Sequence, residues 1–189
     1  MLKKILIAIV VIIAALLIVV AVQPSEFRVE RTAVIAAPAG AVFEQVNNLR
    51  KWDAWSPWAK LDPSAKVTFD GPDAGAGAAM GWSGSEKIGE GKMTIVESRP
   101  NEDIKIKVDI IKPHRGSIDS EFGFKPDGDK TDVSWVMSGH QNFVQKAFCL
   151  IMNGKKMMGD DLEGARPAQI RGRAGQELAA TGAGTRAAW

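Results

Sequence analysis

The stretch DIKIKVDI, residues 103–110, alternates apolar and charged side chains without a break. Its isoleucines and valine would share one face of a strand, while its lysines and inner aspartate would share the other. A strand of this kind belongs to an antiparallel sheet with one face in water and one face covered. The stretch therefore predicts a half-buried sheet whose apolar side needs a cover.

The same two-residue period recurs on both sides of this stretch. With residues 27–36 as a first strand, the pattern predicts seven strands, of which the last six are consecutive and therefore antiparallel. Turn-forming residues separate them, most clearly at Pro100-Asn101 and over Pro126–Asp129. The apolar positions are Val67 and Phe69, Met80 and Trp82, Met93 and Ile95, Ile118 with Phe122 and Phe124, and Val133 with Trp135 and Met137.

Two amphipathic helices accompany the strands. Pro38 begins a short one that ends near Asn48. Asn142 is an N-cap candidate for a longer one that follows the last strand. Since this last helix is the only long amphipathic element, we expect an α+β fold in which a curved seven-stranded antiparallel sheet wraps around it. Its predicted apolar face consists of Val144, Phe148, Ile151, Met158 and Leu162.

The N-terminal residues 5–22, ILIAIVVIIAALLIVVAV, contain no charge, proline or glycine. At about 1.5 Å per residue they span roughly 27 Å, close to the hydrocarbon thickness of a bilayer. Val19-Val20-Ala21 would also suit a signal peptidase, but signal cores usually run to about 7–15 residues. We therefore favour a retained transmembrane anchor over a cleaved signal. Lys3 and Lys4 favour a cytoplasmic N-terminus, which predicts a single-pass protein of a bacterial inner membrane with its remaining residues outside the cytoplasm.

Charge and cysteine content exclude several classes of function. The formal net charge is +2, but Lys3 and Lys4 account for +2 and the last 26 residues, with four Arg and one Glu, for +3. Residues 23–163 therefore carry −3, which is not the basic footprint of a nucleic-acid-binding protein. Cys149, the single cysteine, allows no internal disulfide and is interpreted as a buried apolar residue. No motif predicts a cofactor or a metal site, and the aspartates over residues 127–132 are interpreted as a hairpin turn.

Four segments resemble one known family. They are FRVERTAVIAAPAGAVFEQVNNLRKWDAWSPWAK (27–60), FDGPDAGAGAAMGW (69–82), GKMTIVESRPNEDIKIKVD (91–109) and IMNGKKMMGDDLE (151–163). Together with the element order they resemble the SRPBCC superfamily, the START-like helix-grip proteins, and within it a polyketide cyclase/dehydrase-like bacterial subgroup with an N-terminal membrane anchor. The resemblance implies a hydrophobic cavity between the sheet and the C-terminal helix, and it extends over residues 1–163.

The resemblance also implies the domain limits and exposes one departure. We expect an anchor over residues 1–22, a linker over 23–26 and a START-like domain over 27–163. From Gly164 the chain is rich in Ala, Gly and Arg and contains Pro167, which would break a helix at a cost of about 3 kcal/mol. Residues 164–189 are therefore interpreted as a disordered tail, and we hypothesise that a frameshift or a gene-end error replaced the last helical turns of the family.

Three of the six tryptophans lie in RKWDAWSPWAK, residues 50–60. Because the residue before a proline is pushed away from helical backbone, Ser56-Pro57 predicts a helix end followed by a turn. Trp52 and Trp55 then precede the turn and Trp58 follows it. Three interpretations remain open for these indoles: a hydrophobic plug between the short helix and the sheet, a lining at the mouth of a cavity, or a contact with the membrane interface.

Two functions from different classes fit these observations. The first is a membrane-anchored module that binds a hydrophobic small molecule or lipid; the second is a cyclase or dehydratase-like enzyme with His140, Glu121 or Asp109 as base. By alternation Asp109, Asp119 and Glu121 point outward and only Ser120 interrupts the inward run, which favours binding. A partner-docking module with a filled interior is a third possibility. The predicted ligand-binding residues are Trp52, Trp55, Phe69, Trp82, Phe122, Phe124, Trp135, Met137, Phe148 and Met152.

Overall fold

A computed structural model describes residues 2–56, 58–143 and 145–147. One long helix precedes a seven-stranded sheet, and a short helix with two 3₁₀ helices lies between the first and second strands. The elements are α1 (Leu2–Val22), β1 (Glu26–Ile35), α2 (Ala39–Asn47), 3₁₀ helices over Leu49–Ala54 and Trp58–Lys60, β2 (Lys66–Asp70), β3 (Ala79–Ser83), β4 (Glu90–Arg99), β5 (Asp103–Lys112), β6 (Gly116–Asp127) and β7 (Lys130–His140).

All seven strands form one antiparallel sheet in the order β1-β7-β6-β5-β4-β3-β2. The prediction of seven strands with six consecutive antiparallel ones is therefore confirmed. β5 shows the expected alternation, because Ile104 and Ile106 are 0% and 1% exposed while Lys107 and Asp109 face water. The sheet thus has one apolar face, which we call the concave face, and one wet face.

The turns have the expected chemistry. Asn101 adopts a left-handed backbone with φ of 62° between β4 and β5, and Gly128 does so with the same φ between β6 and β7. β6 continues through Pro126 to Asp127, so the last hairpin turn is shorter than the sequence predicted. A β-bulge between Ile95 and Glu97 leaves Val96 56% exposed on β4.

Helix α2 packs on the concave face through Val42, Phe43 and Val46, as its spacing predicted. It ends at Asn48, whose extended backbone interrupts the helix and whose side chain accepts a hydrogen bond from Arg50 N at 3.0 Å. The tryptophan segment therefore begins a separate 3₁₀ helix, and a second one follows. This differs from the single helix end that the sequence predicted.

The C-terminal helix begins with a reciprocal capping box. Gln145 N donates to Asn142 Oδ1 and Asn142 N donates to Gln145 Oε1, each at 2.9 Å. Asn142 is thus the N-cap, as predicted. The rest of the predicted helix, including Phe148 and Met152, and the predicted tail over residues 164–189 lie outside the described residues.

Asp62 joins the loop before β2 to the turn after β3. Its carboxylate accepts hydrogen bonds from Ser64 Oγ at 2.6 Å, Ser64 N at 3.1 Å and Ser85 N at 2.7 Å. These bonds, the one from the Ser64 hydroxyl first, hold the pKa of Asp62 well below its ordinary value of 3.8. The ionised carboxylate therefore fastens the β2 edge of the sheet.

We predict that the hydrogen bonds to the Asp62 carboxylate are lost in acid. A carboxylate whose pKa is lower in the folded chain stabilises the fold above its unfolded-state pKa and loses that contribution as pH falls through the folded-state value. Hydrogen exchange of the Ser64 and Ser85 amides should accelerate from pH 5 to pH 2, after correction for intrinsic rates. In Asp62→Ala the two amides should exchange quickly at both pH values, whereas Asp129→Ala, at an exposed turn, should match the wild type. Equal protection in wild type and Asp62→Ala at pH 5 would contradict the assignment.

Candidate functional site: an aromatic wall on the concave face

The concave face carries a cluster of aromatic rings contributed by both the sheet and the tryptophan segment. Phe122 on β6 and Trp135 on β7 are paired across the strands and stack with their ring centroids 4.7 Å apart. Trp55 packs edge-on against both rings at 6.4 Å. Trp52 lies 4.6 Å from Trp55, and Trp58 packs edge-on against Trp135 at 5.9 Å. We call these five residues the aromatic wall.

The indole N–H groups of the wall are held by protein acceptors at three of its four tryptophans. Trp52 Nε1 donates to Val46 O at 2.9 Å, and Trp55 Nε1 donates to Gln45 O at 3.1 Å. These carbonyls belong to the last turn of α2, where the helix itself leaves acceptors without a partner. The bonds therefore fix the two indoles flat beneath the helix, with exposures of 3% and 1%.

Trp135 uses a side-chain acceptor. Its Nε1 donates to Ser120 Oγ at 2.8 Å, and Ser120 is 3% exposed. The inward polar residue that the sequence picked out thus satisfies an indole. It leaves the Trp135 ring to present only its apolar surface.

Trp58 differs from the other three. It is half-buried, and no group among the described residues accepts a hydrogen bond from its indole N–H. It therefore lies at the border between the apolar wall and solvent. Trp58 is not among the predicted ligand-binding residues, although its spacing of three from Trp55 could have indicated it.

Trp82 forms a separate aromatic surface on β3. It lies opposite Gly91 of β4, where a Cβ atom would come within 2.4 Å of the indole ring, so only glycine leaves room for it. Its Nε1 donates to Ile88 O at 3.1 Å. Trp82 is half-buried and packs against the core as parity predicted.

The structure brings most of the predicted ligand-binding residues together, with one exception among those described. Phe69 is 36% exposed on the edge strand β2, where the Arg50 guanidinium lies 4.5 Å from its ring centroid and Arg50 Nε donates to Asp73. It does not join the aromatic wall. Those in or against the core are Trp52, Trp55, Trp82, Phe122, Phe124, Trp135 and Met137.

The plug interpretation describes Trp52 and Trp55, because both are buried and hydrogen-bonded to α2. Neither residue borders the groove that lies along β1, β7 and β6. An open groove of about 750 Å³ lies elsewhere, along the β1, β7 and β6 strands, and Phe124 is the one predicted residue that borders it. Charged side chains such as Glu102, Lys125 and Asp132 also line this groove, so it differs from the apolar site that the sequence predicted.

Sequence reasoning missed a charge on the concave face. Arg31 on β1 is half-buried and pairs across the ladder with Trp135, and its Nη1 donates to Glu30 O at 2.9 Å. Its parity with Val29 and Ile35 could have revealed this position. The side chain places a guanidinium at the β1 border of the aromatic wall.

The candidate bases lie away from the wall. Asp109 and Glu121 face solvent on the opposite side of the sheet, and Asp109 accepts a hydrogen bond from Ser117 Oγ at 3.0 Å. The His140 side chain is 77% exposed and lies 3.3 Å from the Glu26 carboxylate. Over the described part of the chain, no three metal-ligating side chains come together.

Comparison with protein families gives one match that spans residues 26–164, to the family described as "Polyketide cyclase / dehydrase and lipid transport". The chain belongs to this family. A comparison with curated proteins found no match. The prediction of an SRPBCC, polyketide cyclase-like chain is thus confirmed.

Solved structures show the same fold at low identity. Norcoclaurine synthase from Thalictrum flavum, a point mutant in complex with a transition-state analogue, is 16% identical with a TM-score of 0.57, covering 83% of this chain and 99% of that one. Ara h 8.0201 is 9% identical with a TM-score of 0.55, covering 79% and 97%. The di-domain ARO/CYC protein BexL of the BE-7585A biosynthetic pathway is 18% identical with a TM-score of 0.57, covering 82% and 52%. These likenesses confirm the helix-grip fold.

We predict that Trp55 and Trp58 have separable roles. Trp55→Ala should lower the free energy of unfolding by about 3–5 kcal/mol, because it opens a cavity in the core and frees the Gln45 carbonyl. Trp58→Ala should cost less than about 2 kcal/mol, because that side chain is only half-buried. Urea denaturation of the purified chain in mild detergent, followed by circular dichroism, measures both values. Equal losses in the two variants would contradict the distinction.

Proposed function

We propose that this protein is a membrane-anchored binding module that holds a hydrophobic small molecule or lipid between the concave face of its sheet and the C-terminal helix. The aromatic wall carries the proposal, because it is a continuous cluster of aromatic rings that reaches solvent at the half-buried Trp58. The family description, which includes lipid transport, supports the same class of function. We assign this function to a domain over residues 27–163.

The hydrogen bonds of the wall restrict the chemistry of the ligand. Trp52, Trp55 and Trp135 already donate to protein acceptors, so none of these three indoles offers a ligand a hydrogen bond. Trp58 retains a donor for one polar group. The wall therefore fits a largely apolar molecule with a polar end near Trp58.

The observations favour binding over catalysis. Asp109, Glu121 and His140, the residues considered as bases for a cyclase or dehydratase, are exposed and lie away from the wall. A general base must come within about 3 Å of the proton that it removes. An enzyme acting on the same apolar ligand would need another group for that step.

Helix α1 supplies the proposed anchor. It is the one helix in the described part of the chain that is long and apolar enough to cross a membrane, over Lys3–Val22, and a signal sequence would have the same properties. We propose that it is retained, with Lys3 and Lys4 on the cytoplasmic side of a bacterial inner membrane and the sheet domain on the other side. A short linker over residues 23–26 joins the two.

We predict that the purified protein carries an apolar ligand. Native mass spectrometry of the full chain released from detergent should show a co-purifying apolar molecule at near-unit occupancy, and lipid extraction should identify its class. Trp58→Ala should lower the affinity about tenfold, which corresponds to about 1.4 kcal/mol of lost aromatic contact.

Phe69→Ala is the matched control for this experiment, because Phe69 is an aromatic residue outside the wall. It should bind as the wild type does. A chain that carries no ligand, and still binds none when bacterial lipids and quinones are added, would point instead to a filled interior.

We predict that the N-terminal anchor is retained in the mature protein. The mature protein should keep residues 5–22 by intact mass and should stay in the membrane pellet after alkaline carbonate extraction. Val11→Lys should shift part of the protein to the supernatant, since a charge at the centre of a span costs about 2.5–3.5 kcal/mol. Val11→Ala should stay in the pellet. A measured mass that corresponds to a chain beginning just after Ala21 would show a cleaved signal instead.

A further inference from the structure

The linker between α1 and the sheet is short. α1 ends at Val22 and β1 begins at Glu26, so three residues join them and span at most about 10 Å. Two of these residues are fastened to the domain, because Gln141 N donates to Ser25 O at 2.7 Å and Lys146 Nζ donates to Gln23 O at 2.9 Å. The end of the sheet where β1 begins therefore stays close to the membrane that α1 enters.

The β5–β6 turn lies at this same end. Gly139 pairs with Phe27 on one side and with Ile118 on the other, so the three residues form one row across the sheet. The tip of the turn, His114, lies four residues beyond Ile118, and Val22 lies five residues beyond Phe27. The turn thus reaches to about the level at which α1 ends.

The two ends of the sheet carry different charge. The loops at the α1 end with their flanking strand residues, residues 61–66, 83–90 and 112–116, contain four basic and three acidic residues. The loops at the opposite end, residues 70–78, 99–103 and 127–130, contain two basic and six acidic residues. A negatively charged membrane would therefore attract the α1 end and repel the other.

Several side chains at the α1 end are available for such a contact. Lys87 and Arg115 are exposed and form no ion pair with any described residue, whereas Lys112 pairs with Glu90 at 2.7 Å. Exposed apolar side chains lie at the same end of the sheet, as in surfaces that bind at the membrane interface. They are Leu61, Ile111 and Phe143, which are 47%, 41% and 45% exposed.

We propose that the β5–β6 turn, residues 112–115, together with Lys87, rests on anionic phospholipid headgroups of the membrane that holds α1, and so fixes the orientation of the domain. This proposal depends on the proposed membrane anchor. Each cation near an anionic surface strengthens binding about fivefold. Because α1 keeps the turn near the headgroups, contacts this weak are enough for high occupancy.

The test compares the full chain in nanodiscs of phosphatidylcholine alone and of phosphatidylcholine mixed with phosphatidylglycerol. Hydrogen exchange of the amides of residues 114–116 should slow at least fivefold in the anionic discs, and added salt should reverse the effect. The amides of residues 127–130, at the opposite end, should exchange equally in both discs and serve as the internal reference.

Two double variants with the same change in charge complete the design. Lys87→Gln with Arg115→Gln should abolish the difference between the discs, and Lys125→Gln with Lys130→Gln should preserve it. Equal exchange of residues 114–116 in both discs, or a slowing that survives the first double variant, would overturn the proposal.

The same experiment separates this proposal from the proposed function. A chain that does not enter nanodiscs at all refutes the anchor, and the headgroup contact with it. A chain that enters them, shows the charge-dependent slowing and carries no apolar ligand supports the contact and counts against the binding function alone.

Discussion

The apolar face of the sheet must be covered, and the way in which it is covered determines most of this structure. α2 and the 3₁₀ helix that follows it lie against the strands and bury Trp52 and Trp55. The two indoles also donate to the carbonyls of Val46 and Gln45 in the last turn of α2. The same residues thus fill the core and satisfy the end of the helix that covers it, which ties the position of the helix to the packing of the rings.

This arrangement leaves the aromatic wall with few free hydrogen-bonding groups. Three of its indoles are already hydrogen-bonded, while Trp58 and Arg31 bring polar groups to its borders. In the function that we propose, the wall would recognise its ligand by shape and apolar area.

Much of the fold could be predicted from the sequence, because the two-residue period of β5 assigns its faces and turn residues separate the strands. The site was harder to predict, for local reasons. Phe69 obeys the period, but it lies on the short edge strand β2, where it packs under Arg50 and stays 36% exposed. The extended backbone of Asn48 starts a new 3₁₀ helix that no spacing indicates. Arg31 was missed because its charge suggests an outward position, although its parity with Val29 indicates the opposite.

The pairing of β1 with β7 has a consequence for the way the chain is made. β1 is the first of the described strands to leave the ribosome, yet its ladder partner among them is the last one, with Glu26 opposite His140. Strands β2 to β7 can join as successive hairpins, but β1 must wait, attached directly to α1, until nearly the whole domain has been synthesised. Closing so distant a pair is slow, because the chain loses loop entropy before the contact forms. For the retained anchor that we propose, insertion of α1 would precede completion of the sheet, and the edge of β1 would need protection in that interval.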